Sequence, residues 1–286
     1  VYNYIQHFKP RGIMKMKRTV KIITFILCLS LVLGVVSGCG NSGQQSQSGE
    51  SSNQQSGEKE VWVVGTSPDY PPFEFIDENG NFAGFDIDLI NEVGKRLGVE
   101  VKIESLEFES LIASLKQGKI DAIIACMSPN EERLKEADFT KPYYKTKHGV
   151  LVNPEGKAEI KELSDVLKYE FGVQSGTTMA AWAQKQIKSG AVKESQVKYY
   201  TDANAGVLDV KNGRLAAFVI DLPVAYAKAK ELGLKVAVET TLDNDEDPGI
   251  VLKKGSTEMV EKLNKIIDDM VADGTIAKLE DKWFRQ

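Results

Sequence analysis

Ser128 and Arg133 lie in the stretch Cys126-Met127-Ser128-Pro129-Asn130-Glu131-Glu132-Arg133-Leu134-Lys135-Glu136-Ala137-Asp138. The stretch follows Ile120-Asp121-Ala122-Ile123-Ile124-Ala125, an apolar run of strand length and composition. Such a run delivers a serine hydroxyl, a short turn and then a guanidinium onto the rim of a sheet. A guanidinium is a planar fork of donors that matches a carboxylate bidentately. The chemistry on offer is therefore a grip on a small carboxylate. Glu131, Glu132 and Arg133 fit a solvated helix face equally well, and spacing alone leaves both readings open.

The elements that must hold these groups alternate along the chain. Strands are expected at 61–66, 99–105 and 120–126, with helices at 85–97 and 109–117 between and before them. Phe85, Leu89, Ile90, Val93 and Leu97 recur at helical spacing, and Gly98 stops that helix. A second series follows, with strands at 171–174, 197–201 and 215–220 and helices at 177–188, 203–211 and 222–232. Beyond an acidic, turn-rich break at 243–248 come a strand at 249–253 and helices at 257–273 and 276–284. Two successive βαβ sets predict an α/β protein of two lobes, each a mostly parallel sheet flanked by helices. Ligands in open α/β sheets sit outside the carboxyl ends of the strands, so two facing lobes predict a cleft.

The amino-terminal region reads as an export signal. Lys15, Lys17, Arg18 and Lys21 precede an apolar stretch over 22–36, which ends in Val36-Ser37-Gly38-Cys39. Small residues directly before a cysteine resemble a bacterial lipobox, which implies removal of 1–38, lipidation of Cys39 and anchoring at the outer face of the cell membrane. Met14 or Met16 is the expected start of translation. Residues 41–59 are rich in Ser, Gln and Gly without a large apolar side chain, so 39–60 is expected to be a tether spanning about 26 Å root-mean-square.

Composition narrows the partners. The chain carries 36 basic and 41 acidic residues, a net charge of −5. Residues 1–38 hold six basic residues and no acid, so their removal takes the net charge to −11. So acidic a body argues against nucleic acid or an anionic lipid surface as partner. Cys28 falls in the signal and Cys39 carries lipid, leaving Cys126 as a buried small side chain with no disulfide partner. With His148 the single histidine left, no zinc ligand set is expected, and no cofactor.

Gly65-Thr66-Ser67-Pro68-Asp69-Tyr70-Pro71-Pro72-Phe73-Glu74-Phe75, Gly84-Phe85-Asp86-Ile87-Asp88, Gly118-Lys119-Ile120-Asp121-Ala122 and Gly172-Val173-Gln174-Ser175-Gly176-Thr177-Thr178 occur in this order. Together with Asp273-Gly274-Thr275 and Lys282-Trp283-Phe284 they resemble the solute-binding proteins of polar amino-acid ABC importers. That family includes glutamine-, histidine- and lysine/arginine/ornithine-binding proteins. The resemblance spans 61–284 and implies the type II periplasmic-binding-protein fold with two hinge crossings. Lobe 1 would be 61–148 plus 241–286, and lobe 2 would be 149–240.

The resemblance also implies a ligand site. Arg133 matches the carboxylate-binding arginine, Ser128 a serine on the same group, and Thr178 a donor at a helix start. Asp221 matches the acid that receives the ligand's α-ammonium, and Tyr70 a ring stacked on its side chain. Phe108, Ser67, Met127 and Gly176 complete the expected ligand-binding set. Asp86 is expected to be structural or to support the site from behind. Ser67 stands where relatives that bind basic side chains carry an acid, which favours a neutral ligand unless Asp69, Glu74 or Glu107 substitutes. Cys126-Met127-Ser128-Pro129 replaces the more usual Gly-Met-Ser-Ile, and Pro248-Gly249 a more usual aromatic-Gly.

The implied partners are a polar amino acid and the permease and ATPase subunits of an importer, with the chain itself a monomer. No catalysis is expected. An exported dehydratase acting on prephenate- or arogenate-like acids on the same fold is the alternative, since it too needs an arginine for carboxylate. A sensory module is disfavoured because the sequence runs to Gln286 without a membrane span or signalling domain.

Overall fold

The computed structural model describes residues 60–145, 147–242 and 247–285. The expected signal, Cys39 and almost all of the tether lie outside the described residues. No helix among the described residues is long and apolar enough to cross a membrane.

Two five-stranded sheets and one small three-stranded sheet organise the fold. The first sheet has the order Glu100–Ser105, Val61–Thr66, Ala122–Ile123, Val251–Lys253, Ala137–Phe139. The second has the order Val197–Tyr200, Phe171–Gln174, Ala217–Asp221, His148–Val152, Lys235–Thr240. In each sheet one strand runs against the other four: Val251–Lys253 in the first and His148–Val152 in the second. Both are the first strand laid down after the chain passes between sheets. A strand fed by a preceding helix enters from the amino edge of its sheet. One delivered from the facing sheet enters from the carboxyl edge, so its direction is reversed.

The chain leaves the first sheet after Phe139 and returns after Thr240. The two connecting segments are bonded to each other: Thr140 N–H donates to Ile250 O (2.9 Å), Ile250 N–H to Thr140 Oγ1 (2.9 Å) and Tyr143 N–H to Pro248 O (3.0 Å). Gly249 fits here because a Cβ would lie 2.9 Å from the Thr140 carbonyl oxygen.

Most expected elements form close to their predicted bounds. Helix Phe85–Leu97 ends on Gly98 in the left-handed region, as its spacing predicts. Asp86 and Asp88 sit in its first turn and Lys95 and Arg96 in its last, which suits the helix dipole. The strand expected over 120–126 is shorter, at Ala122–Ile123. The chain still bonds to its neighbour through Asp121 N–H to Val63 O and Ile124 N–H to Gly65 O. Cys126 then takes φ 44° and turns the chain out of the sheet.

Strands Ala137–Phe139, His148–Val152 and Lys235–Thr240 and the hairpin sheet of Asp69–Tyr70, Glu74–Ile76 and Phe82–Ala83 fall outside the expected elements, whereas helix Glu131–Glu136 matches one of the two readings left open for that stretch. The closing motifs dock the last helices on the first one. Asp88 accepts from Trp283 Nε1 (2.7 Å) and Lys282 Nζ (2.6 Å), and Arg96 donates to Asp273 (2.8 Å) and Thr275 (3.1 Å). Phe284 then packs among Phe73, Phe85 and Tyr144, with ring centroids 4.7 to 5.1 Å away.

Candidate ligand site at the carboxyl ends of the two sheets

The carboxyl ends of strands from both sheets converge on one cavity holding about 360 Å³ of non-atom space, part of it open to solvent. Val61–Thr66 delivers Ser67, Asp69 and Tyr70, and Ala122–Ile123 delivers Ala125, Cys126 and Ser128. From the second sheet come Gln174, then Thr177, Thr178 and Met179 at a helix start, and Asp221 ending its strand.

Arg133 reaches the cavity from helix Glu131–Glu136, which Asn130 caps by accepting from Arg133 N–H (2.8 Å). The helix is real, and Glu131 and Glu132 are exposed on it as the solvated-face reading has it. Arg133, however, is buried on the opposite side. Its Nη1 donates to Ser128 O (2.5 Å) and its Nη2 to Gly176 O (2.7 Å), and its Cζ lies 5.3 Å from the centre of the Phe108 ring. Two carbonyls and a ring fix the plane of the fork. One of those carbonyls belongs to the segment that follows strand Phe171–Gln174 of the second sheet.

Further bonds tie the small hairpin sheet to the second sheet and its flanking helix around the cavity. Tyr70 Oη donates to Asp221 Oδ2 at 2.6 Å. Asp69 Oδ2 accepts from Gln174 Nε2 at 2.9 Å and from Ala203 N–H at 2.6 Å, at the start of helix Ala203–Lys211. Burial raises the Asp69 carboxyl, against the lowering effect of the Ala203 amide. Burial, with the Asp221 charge alongside, raises the Tyr70 hydroxyl well above its ordinary value, so it stays a donor.

Of the expected ligand set, Ser67, Tyr70, Phe108, Ser128, Arg133, Thr178 and Asp221 line the cavity. Met127 does not. The turn at Cys126 points it into the core with Leu111, Leu115 and Ile123, and its carbonyl accepts from Gly249 N–H (3.2 Å). Gly176 is also absent from the lining and acts through its carbonyl on Arg133. Tyr70 meets Asp221 through its hydroxyl, beyond any role for its ring. Helix Thr178–Lys188 is capped by Thr177, whose Oγ1 accepts from Ala180 N–H (3.1 Å), so Thr178 opens the first turn.

Asp69, Glu74, Gln174, Thr177 and Met179 line the cavity and were outside the expected set. Asp69 and Glu74 enter the sequence reading only as substitute acids. The third, Glu107, borders an adjoining groove with Pro68 and Asp202. Asp86 supports the site from behind, as expected: its Oδ2 accepts from Cys126 N–H and from Tyr143 Oη, each at 2.8 Å. Acidic side chains outnumber basic ones at the cavity, with Asp69, Glu74 and Asp221 against Arg133 among the described residues.

Similarity to known proteins follows the same outline. The chain is 36% identical over 228 residues to ABC transporter arginine-binding protein 1 of Escherichia coli strain K12, covering 78% of this chain and 90% of that one. Among solved structures, an ancestral arginine-binding protein bound to arginine superposes with a TM-score of 0.72 at 38% identity, covering 78% of this chain and 98% of that one. An ancestral arginine-binding protein bound to glutamine gives 0.71 at 35% identity, covering 80% and 100%. Residues 62–286 match one family throughout, so a chain that carries an arginine and an aspartate from two α/β layers onto one cavity belongs to the bacterial extracellular solute-binding proteins, family 3.

Proposed function

We propose that this protein captures a polar amino acid between two closing lobes, 61–148 plus 241–286 and 149–240, and presents it to the permease and ATPase of an ABC importer. The observation that carries the reading is that Arg133 and Asp221 border one cavity from different sheets. A zwitterion leaving water loses strong hydration at both ends, so each charge needs a hydrogen-bonded partner. Arg133 would take the α-carboxylate, helped by Ser128 and Thr178, and Asp221 the α-ammonium. The groups that meet the two charges come from opposite lobes, so both are satisfied only on closure and ligand favours the closed form.

The neutral side chain favoured by Ser67 gives way to a cationic one. Ser67 Oγ donates to Asp69 Oδ1 at 3.0 Å, so an acid stands directly behind the serine. Three acids facing one base in the cavity also suit a ligand with a second positive charge. Relatives named for arginine support this choice. Lipidation of Cys39 after removal of 1–38 would tether the receptor to the outer face of the membrane, acting as a monomer.

A thermal-shift screen of the standard amino acids, with ornithine and cystine, tests the reading, since bound ligand raises the melting temperature by mass action. We expect the largest shifts from arginine, lysine or ornithine. A screen with no shift from any amino acid refutes the receptor account. One observation favours the dehydratase alternative: Glu74 is a buried acid at the cavity wall, the type of group that general-acid chemistry needs. Incubation with prephenate and arogenate decides, and we expect no aromatic product.

A further inference from the structure

Glu74 and Asp86 form a second acidic unit that amino-acid capture by Arg133 and Asp221 does not use. Glu74 lines the cavity and is 1% exposed, while Asp86, on the first turn of helix Phe85–Leu97, is completely buried behind it. The two carboxyls lie within hydrogen-bonding reach of each other. One oxygen on each, Glu74 Oε2 and Asp86 Oδ1, has no donor, whereas Asp86 Oδ2 has two. Two ionised carboxylates cannot satisfy each other, because both only accept. A single proton between the two carboxyls supplies the donor that the pair lacks and removes one of two adjacent buried charges.

We propose that Glu74 and Asp86 hold one proton between them, and that a cationic ligand side chain entering the cavity displaces it to solvent. This rests on the amino-acid reading above and makes Glu74 the residue that distinguishes cationic from neutral ligands. The displaced proton leaves the lobe-bridging bonds intact and exposes one negative charge to the incoming ammonium or guanidinium. A neutral side chain supplies no charge to replace the proton, so the pair keeps it.

The surroundings agree. The titratable and charged groups facing the pair are Asp69 and Tyr70 on the preceding strand, Cys126 beyond the Ala122–Ile123 strand, Tyr143 on the first crossing and Asp221 from the second sheet. Arg133 borders the same cavity, and His148 Nε2 lies 4.0 Å from Asp221 Oδ1. Burial raises both carboxyls, Asp86 to about 7 and Glu74 well above its ordinary value, with Asp86 and then Asp69 and Asp221 adding to the rise at Glu74. The proton therefore resides mainly on Glu74, since the amide and hydroxyl bonds at Asp86 favour its ionised form.

Calorimetry at neutral pH in buffers of different ionisation enthalpy counts protons released on binding. The ligands are arginine and its uncharged isostere citrulline. The wild-type protein should release on the order of one proton with arginine and none with citrulline. Its arginine affinity should rise with pH, by up to about tenfold per pH unit while the pair in the free protein still holds its proton, because the released proton competes with the ligand. Glu74→Gln should abolish the release and lower the arginine-to-citrulline affinity ratio about tenfold.

Equal proton counts for the two ligands, or an unchanged release in Glu74→Gln, would overturn the proposal while leaving amino-acid capture standing. If Glu74→Gln does not fold, the wild-type proton counts decide alone. Failure of the wild-type protein to bind either ligand or any other amino acid would overturn both.

Discussion

The Tyr70 hydroxyl donates to the Asp221 carboxylate at 2.6 Å, joining the small hairpin sheet beside the first lobe to the last residue of a strand in the second. Asp221 is also the group proposed to receive the ligand's ammonium. The tyrosine therefore orients the carboxylate and bridges the cleft at the same point. Tyr70→Phe keeps the ring and removes both functions. A hydrogen bond to a charged group contributes about 1.5–3 kcal/mol, so affinity should fall by roughly ten- to a hundredfold. Titration calorimetry on folded Tyr70→Phe checks this, and an unchanged affinity would refute a bridging role.

Arg133 is held by the Ser128 and Gly176 carbonyls, so its plane is fixed before a ligand arrives. Truncation strands the ligand's carboxylate in a buried site, and Arg133→Ala should cost about 3–5 kcal/mol of binding. Arg133→Lys should restore little of it, because a point charge cannot keep both carbonyl bonds and a bidentate grip. Binding near wild-type strength in the lysine variant would show that charge alone suffices.

Much of this site was legible because its charged groups fall inside motifs at strand ends. Arg133, Ser128, Thr178 and Asp221 needed only the alternation of elements and the family resemblance. Met127 entered the expected set through the resemblance alone, and the positive φ of Cys126, which the sequence does not announce, turns it into the core. Glu74 and Asp86 were visible as motif residues, but not as a pair. They sit on different elements, and only the packing of helix Phe85–Leu97 behind the hairpin sheet brings their carboxyls together. The reversed strand His148–Val152 was read as a boundary, since a short apolar run does not announce its direction.

Asp69 latches the lobes without using the two groups proposed for the ligand's charges. Its Oδ2 accepts from Gln174 and from the Ala203 amide of the second lobe. Asp69→Ala leaves the Ala203 amide without that acceptor and weakens the closed form. Two neutral donors to a charged acceptor suggest a loss on the order of 2 kcal/mol. Affinity for citrulline should drop by a factor of about thirty and for arginine by more, because Asp69 also stands behind Ser67 as one of the acids facing a cationic side chain. An equal drop for both ligands would confine Asp69 to the latch. Small-angle scattering should also find the variant more extended.

Stability should depend on pH from two directions. Asp273 accepts from the Thr275 hydroxyl and amide and from Arg96, which lower it to about 2, and Lys168 with two amides lowers Asp165 likewise. Their contributions are complete above the ordinary 3.8 and fade as pH falls towards about 2. Asp86 behaves oppositely, because burial raises it from 3.8 to about 7. Burial disfavours the charge that the Glu74–Asp86 pair gains on losing its shared proton, so that stability is lost as pH rises from 3.8 through about 7. Melting temperatures should peak on the acid side of neutrality. Asp86→Asn should flatten the alkaline limb, and Asp273→Asn the acid one. An unaltered alkaline limb in folded Asp86→Asn would contradict this assignment.

Gly84 marks where helix Phe85–Leu97 meets the turn carrying Glu74. Its φ is 128°, and a Cβ there would lie 2.1 Å from the Phe73 carbonyl oxygen. That same carbonyl accepts from Asp86 N–H (2.9 Å), which sets the first turn of the helix against the hairpin. Gly84→Ala therefore forces the backbone apart at the point that holds Glu74 against Asp86. Backbone strain of this type costs on the order of 1–3 kcal/mol, so chemical denaturation should show a loss of that size. Proton release on arginine binding should shrink in the same variant, since separated carboxyls no longer share a proton. A destabilised Gly84→Ala that still releases its full proton would show that the pair survives without this contact.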